Sequence, residues 1–391
     1  MSSPTLATLF PPLVIRGRSL LPIVQGGMGV GISAHRLAGT VARLGGVGTL
    51  SSVDLRRHHP DLMQATGRSR DRAAIDEANL IALDREVRAA LALAQDNGMI
   101  AVNVMRAVSE YAHYVRRSCE SGVQAIVVGA GLPLDLPEMV ADFPDVALIP
   151  ILSDFRGIAV VIKKWRRKGR LPDAIVIEHP LYAGGHLGAA KIEDLADARF
   201  GFARVIEETF ALFAELGIDR ERVPLIPAGG INSCDKVREL FALGAAAVQV
   251  GTPFAVTEEG DAHPNFKRVL AEAKPEDIVT FMSAAGLPAR AVRTPWLENY
   301  LARLPALTRR AKPRTDCTLA FDCLEHCGLR DGNPGMGQFC IDNQLAAALN
   351  GDVKRGLFFR GSEPLPFGSQ IRPVGDLIAY LLGAAPAPAS A

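Results

Sequence analysis

The sequence predicts an α/β chain folded as a (β/α)8 TIM barrel with a C-terminal cysteine-bearing helical appendage. Three observations carry this. Eight short apolar runs alternate strictly with amphipathic stretches, each interval is long enough for a parallel crossover, and glycine turns crowd the C-terminal ends of the runs. The alternation by itself also fits a doubly wound open sheet.

The strand-like runs are Leu21–Gln25, Val47–Ser51, Met99–Met105, Ala125–Val128, Ala147–Leu152, Ala174–Ile177, Pro224–Ala228 and Ala246–Val250. They are continuous apolar runs, as expected of parallel strands covered on both faces. Helical periodicity occupies Ser33–Leu44, Asp71–Gln95, Val108–Ser121, Leu136–Asp142, Asp154–Lys168, Ile192–Leu216 and Ser233–Leu243. Arg56–Arg72 is charged and reads as an excursion, or lid, between the second strand and a long helix. From Leu301 to Asp316 the chain is basic and carries proline, as in a helix and linker leaving the barrel. Helical patterns at Ile341–Leu349 and Val374–Leu382 close the appendage, and Ala384–Ala391 is Ala/Pro-rich. The expected units are a barrel over 1–300, an appendage over 301–383 and a disordered tail over 384–391.

The 391 residues leave room for one large domain or two medium ones, and 48% hydrophobic residues supply a sizeable core. A net charge of +1 argues against a nucleic-acid partner. No apolar run reaches the length of a membrane span. Met1 to Pro12 lacks the basic start and apolar core of a signal peptide. With the six cysteines this gives the expectation of a reduced, cytoplasmic protein.

Chemistry in such a barrel belongs where strands end. The first strand ends in Gly26-Gly27-Met28-Gly29, and the third carries Asn103 inside an apolar run. The sixth runs into a glycine-rich turn in which Gly184, Gly185 and Gly188 bracket His186. A histidine held there can exchange a proton near neutral pH; the alternative is a tight turn with an incidental histidine. The seventh ends in Ala228-Gly229-Gly230 and the eighth in Gln249-Val250-Gly251-Thr252. Adjacent seventh and eighth loops with a following helix suggest a phosphate cradle. Ser153-Asp154 reads as a helix cap. Arg290 could face an anion or lie solvated. Cys317, Cys323, Cys327 and Cys340 are spaced x5, x3 and x12. Clustered thiolates can hold an iron–sulfur centre or zinc, although the first gap is long and free thiols are the alternative.

At this point the chain resembles a known family. The pieces are PIVQGGMG (22–29), NVM (103–105), GAGLP (129–133), PDAIVIE (172–178), AGGHLG (183–188), IPAGGI (226–231), GAAAVQVGTPF (244–254) and GLPARAV (286–292). Together they resemble the nitronate monooxygenases, formerly 2-nitropropane dioxygenases, and the related FMN-dependent enoyl-ACP reductases. The resemblance implies a (β/α)8 flavoprotein with FMN. It implies the phosphate at Gly229, Gly230, Gly251 and Thr252, and the ring beside Gly26, Gly27 and Met28, with Asn103 and Gln249 as polar contacts and Gly185 as a further cofactor-binding residue. It implies His186 as the catalytic acid/base, a small-molecule substrate, O2 or NAD(P)H as co-substrate, and a homodimer as one assembly. The stretch Glu178 to His186 has one residue more than the family pattern Glu-Gly-Pro-Leu-Ala-Gly-Gly-His, and the first cysteine gap is wider than in similar tails. Three functions follow: an FMN-dependent nitronate monooxygenase, an NAD(P)H-dependent flavin oxidoreductase reducing an enoyl thioester or quinone, or a non-catalytic flavin- or phosphate-ligand-binding protein.

Overall fold

The computed structural model describes residues 8–384, so the expected tail from residue 385 onward and the first seven residues lie outside the described residues. Eight strands close a parallel barrel: β1 (Ile23–Gln25), β2 (Val47–Ser51), β3 (Met99–Met105), β4 (Ala125–Gly129), β5 (Ala147–Leu152), β6 (Ile175–Glu178), β7 (Leu225–Ala228) and β8 (Val248–Val250). Closure comes from β8 on β1, with Val248 opposite Ile23 and Val250 opposite Gln25. The open-sheet alternative is thereby set aside. Among the described residues no helix is long and apolar enough to cross a membrane.

The two-residue pleat sorts each strand. Along β3, Ile100, Val102 and Val104 face the outer helices, while Met99 and Ala101 face the barrel interior. Val127 of β4, Ile149 of β5, Val176 of β6 and Ile226 of β7 fill the same interior. Its N-terminal end is plugged by a hairpin, Leu13–Ile15 with Arg18–Leu20, whose Leu13, Ile15 and Leu20 pack into that cluster. The β1–β2 ladder is a single register pair, Val24 with Val47. Gln25 reinforces it, accepting from the Thr49 N–H at 2.9 Å and donating to the Thr49 carbonyl at 3.1 Å.

Helices His35–Arg43, Arg72–Ala94, Tyr111–Glu120, Leu136–Met139, Phe155–Arg166, Phe202–Leu216 and Cys234–Ala242 follow β1 to β7. Asp154 caps its helix as expected, accepting from the Gly157 N–H at 2.8 Å. The place after β8 is taken by Val374–Leu381, which packs against His35–Arg43 and Cys234–Ala242 with Val374, Leu377, Ile378 and Leu381 in the barrel's own core. Residues 256–373 therefore run as an excursion from β8 back to a ring helix, and the expected 300/301 boundary falls inside the helix Pro295–Arg309. The excursion carries Ile278–Met282 and Pro288–Val292, which pair antiparallel and then capture Gly185–His186 as a third strand.

The expected lid after β2 is fastened. Asp54 and Arg56 are buried, and Arg56 Nε donates to Asp54 at 2.7 Å. Arg57 bridges Asp54 to Asp342 of the excursion, reaching the latter at 2.7 Å. Buried charges persist only when paired in this way.

Candidate active site

Continuing the pleat by one step gives the floor of the site. Ser51, Asn103, Glu178 and Gln249 follow Thr49, Ala101, Val176 and Ala247 on the inward face, and all four line one cavity of about 300 Å³ at the C-terminal mouth. The layer below is mostly apolar, with Thr49 its one polar member among these four, whereas all four top-layer residues are polar. Met28, Gly185, His186, Gly230 and Gly251 line the same cavity, as do Gly26, Gly27, Gly229 and Thr252. Every cofactor residue expected from the sequence converges there.

The glycines are required for two different reasons. Gly229 and Gly230 have φ of +97° and +76°, a region that side chains avoid. A Cβ on Gly27 would stand 2.4 Å from the Asn103 Cβ, so that turn can approach β3 only as glycine. Gly251 differs: a Cβ there would meet only the Met28 sulfur, at 3.9 Å. Its missing side chain points into open cavity. The Thr252 hydroxyl also lines the cavity and accepts from the Gly361 N–H at 3.0 Å, which fastens the excursion over β8.

His186 is held by strand pairing, opposite Ala289, and by the Phe359 ring edge-on at 5.5 Å. Its Nε2 is buried without a hydrogen-bond partner. Burial pulls the imidazole down to about 4, so it is neutral at pH 7. Glu178, at the end of β6, makes no side-chain hydrogen bond among the described residues, and burial pushes its carboxyl up to about 7. Asn103 Oδ1 is likewise buried and unpaired.

Arg290 is not solvated, and its hydrogen bonds go to main chain, with the Glu363 carboxylate nearby. It is 5% exposed and donates to the carbonyls of Pro180 at 3.3 Å and Ala183 at 2.5 Å. Its strand pairs Arg290 with Gly185. The segment 286–292 thus holds the His186 loop from outside.

The four clustered cysteines wall a second, small cavity of about 20 Å³, and Cys323 borders both cavities. Among the described residues no three Cys, His, Asp or Glu side chains are grouped to hold a metal ion, and all six thiols are free. Burial pushes the Cys340 thiol up to about 12 and that of Cys323 well above its ordinary value, so both are protonated packing groups. Of the two readings of Cys317, Cys323, Cys327 and Cys340, the iron–sulfur or zinc centre finds no ligand set among the described residues. Elemental analysis of anaerobically prepared protein should give less than stoichiometric iron and zinc; one metal equivalent per chain would show that the thiols do bind a metal.

A family model described as Nitronate monooxygenase matches residues 18–382. The chain belongs to the nitronate monooxygenase family. It is 25% identical over 289 residues to the protein named "Probable nitronate monooxygenase" in Bacillus subtilis, covering 71% of this chain and 78% of that one. The match to Nitronate monooxygenase of Pseudomonas aeruginosa is 36% over 123 residues, 30% of this chain and 32% of the relative. Among solved structures, FabK from Thermotoga maritima superposes with a TM-score of 0.61 at 23% identity, over 93% of this chain and 92% of that one. The nitroalkane oxidase from Streptomyces ansochromogenes gives 0.59 at 19% identity, over 93% and 95%. At these identities the two structures bear on the fold alone. Family membership makes the chain an oxidoreductase, and the motif segments border the one cavity except 286–292, which braces the His186 loop from outside.

Two lining residues of weight were given no role from the sequence. Glu178 was legible, since Ala174, Val176 and Glu178 alternate inward. Asp342 was not, because only the tertiary fold brings the excursion over the barrel.

Proposed function

We propose that this nitronate monooxygenase family member is FMN-dependent and oxidises alkyl nitronates, and the nitroalkanes they derive from, with O2. The observation that carries this is a neutral His186 with an unpaired ring nitrogen, lining the cavity on which all the expected flavin residues converge. The residues fit the group: Asn103 offers an unpaired buried acceptor, the first turn closes on β3 without side chains, and Gly251 opens onto free space. Gly229, Gly230, Gly251 and Thr252 would hold the phosphate, while Gly26, Gly27, Met28, Asn103, Gly185 and Gln249 would surround the ring.

When bound, the flavin accepts the substrate's electrons and delivers them to oxygen. The chain's own part is proton transfer and orientation. Neutral His186 takes the α-proton of a nitroalkane; the C–H electron pair passes into the nitro group and leaves a nitronate. Phe359 and the pairing to Ala289 fix the imidazole for that step. The excursion covers the cavity with Leu324, Ile341, Leu345, Leu357 and Phe359, and no lysine or arginine lines it. Substrates with an apolar chain suit such a wall, whereas a second negative charge would find no partner. In a homologous nitronate series kcat/KM should therefore climb about fourfold per added methylene, the value of burying one CH2.

The deciding experiment is anaerobic reductive titration of the purified yellow protein. Rapid bleaching by a nitronate, and not by NADH, is expected. Bleaching by NADH alone would assign the site to an NAD(P)H-dependent reductase, and bleaching by neither would leave a flavin-binding protein without this catalysis.

A further inference from the structure

Resting on the assignment of His186 as base, we propose that Glu178 is its electrostatic partner: a positioning residue whose carboxylate balances the imidazolium formed when His186 takes the substrate's proton. Desolvation that keeps His186 neutral also makes it a weak base. An imidazolium formed in that cavity needs a counter-charge, and the nitronate being formed leaves with the product.

The cavity offers few groups for the purpose. Glu178 lines it, at the inward-facing end of β6, and has no hydrogen-bond or ion-pair partner among the described residues. Its Oε2 lies 3.9 Å from where a Cβ on Gly188 would stand, so the carboxyl sits under the loop that carries His186. From the turn after β5, the neighbouring group at that glycine is the neutral Ser153. Within the loop, His179 accepts from the Leu181 N–H at 3.2 Å and packs on Phe202, turned away from the cavity. From the excursion, Asp342 is tied to Arg57 at 2.7 Å and Glu363 accepts from the Ser362 hydroxyl at 3.2 Å. Arg290 and Arg360 are buried behind the wall, donating to backbone carbonyls. No lysine or arginine lines the cavity to neutralise Glu178.

The proton step is balanced without any redox partner. The α-C–H bond breaks, an N–H bond forms on His186, and the electron pair resides in the nitronate. Glu178 exchanges nothing with the substrate; it changes charge with pH. Burial sets its carboxyl near 7, so it ionises as pH rises through that value, and the imidazolium is stabilised above it and not below. Nitroalkane turnover should rise through the same window, whereas pre-formed nitronate, which needs no base, should not follow.

The test uses flavin-loaded enzyme and compares kcat/KM for 1-nitropropane and for its nitronate between about pH 5.5 and about pH 8.5. In the wild type only the nitroalkane profile should rise, by about tenfold for one unit of base strength gained. Glu178→Gln should flatten that profile at its low-pH level without changing the shape of the nitronate profile, and Glu178→Asp, which keeps an ionisable carboxyl, should restore a rise. Carboxyl 13C NMR of the flavin-free protein gives a second readout, with Glu178 titrating about 7. Three results would overturn the proposal: a Glu178→Gln profile that rises like the wild type, equal losses on both substrates, or a Glu178 that titrates at an ordinary carboxylate value. If Glu178→Gln does not fold, a flat wild-type profile overturns it as well. His186→Asn separates the two levels: loss of nitroalkane turnover there, with an unaltered Glu178→Gln profile, removes only Glu178, while retained turnover removes the base assignment and this proposal together.

Discussion

Gly251→Asp should purify as a folded, colourless protein. The position tolerates a side chain sterically, since a Cβ would meet only the Met28 sulfur at 3.9 Å and φ is −108°. What the substitution adds is a negative charge pointing into the cavity, beside the proposed phosphate. Two unit charges about 4 Å apart interact by about 4 kcal/mol at an effective dielectric of 20, or roughly a thousandfold in affinity. A phosphate carrying more than one charge would feel more. No lysine or arginine lines the cavity to offset this, and Glu363 already stands on its wall. Gly251→Ala separates bulk from charge and should keep most of the affinity. Circular dichroism checks the fold, and fluorescence titration of apoprotein with FMN gives the dissociation constant. A folded Gly251→Asp protein with full flavin content would remove the phosphate from this end of the barrel.

The barrel was legible because buried parallel strands advertise themselves: each of the eight runs became a strand with ends shifted by two residues or fewer. The plug at Leu13–Leu20 escaped notice, although Arg16-Gly17, both at positive φ, is a hairpin turn between alternating apolar residues. The ring position of Val374–Leu381 could not be read locally. Its apolar face looks the same on an appendage as on a barrel, and only the packing against His35–Arg43 and Cys234–Ala242 distinguishes them. Charge misled in two places. Arg56 and Arg57 suggested a solvated lid, yet Asp54 and Asp342 pair them across buried surface. Arg290 read as facing an anion or lying solvated, yet backbone carbonyls of the His186 loop take its hydrogens. Asp54 lies close in sequence, but Asp342 is 285 residues from Arg57, and the partners of Arg290 are main chain and invisible in a side-chain pattern. Glu178 is the opposite case, since the pleat that buries Val176 turns the next-but-one residue into the cavity.

His186→Asn should keep the fold and its flavin and lose nitroalkane turnover by about a hundredfold to ten-thousandfold, the usual cost of removing a general base. Asparagine retains a polar side chain of similar reach, and the backbone pairing to Ala289 does not depend on the imidazole. The pre-formed nitronate should lose much less, because its α-proton is already gone. The substrate comparison matters because Phe359 packs on His186 at 5.5 Å, so a packing defect could depress any rate. A packing defect falls on both substrates, whereas loss of the base falls on one. The pH dependence adds a sign. Burial holds the imidazole at about 4, so the neutral base is fully present above that value and is lost as pH falls through it. Wild-type nitroalkane turnover should therefore collapse below about pH 4 faster than nitronate turnover, and His186→Asn should abolish that difference. Stopped-flow measurement of flavin reduction under anaerobic conditions reads both substrates on the same signal. Equal and small losses on the two, with flavin retained, would take His186 out of the base role and leave it as a residue of the turn.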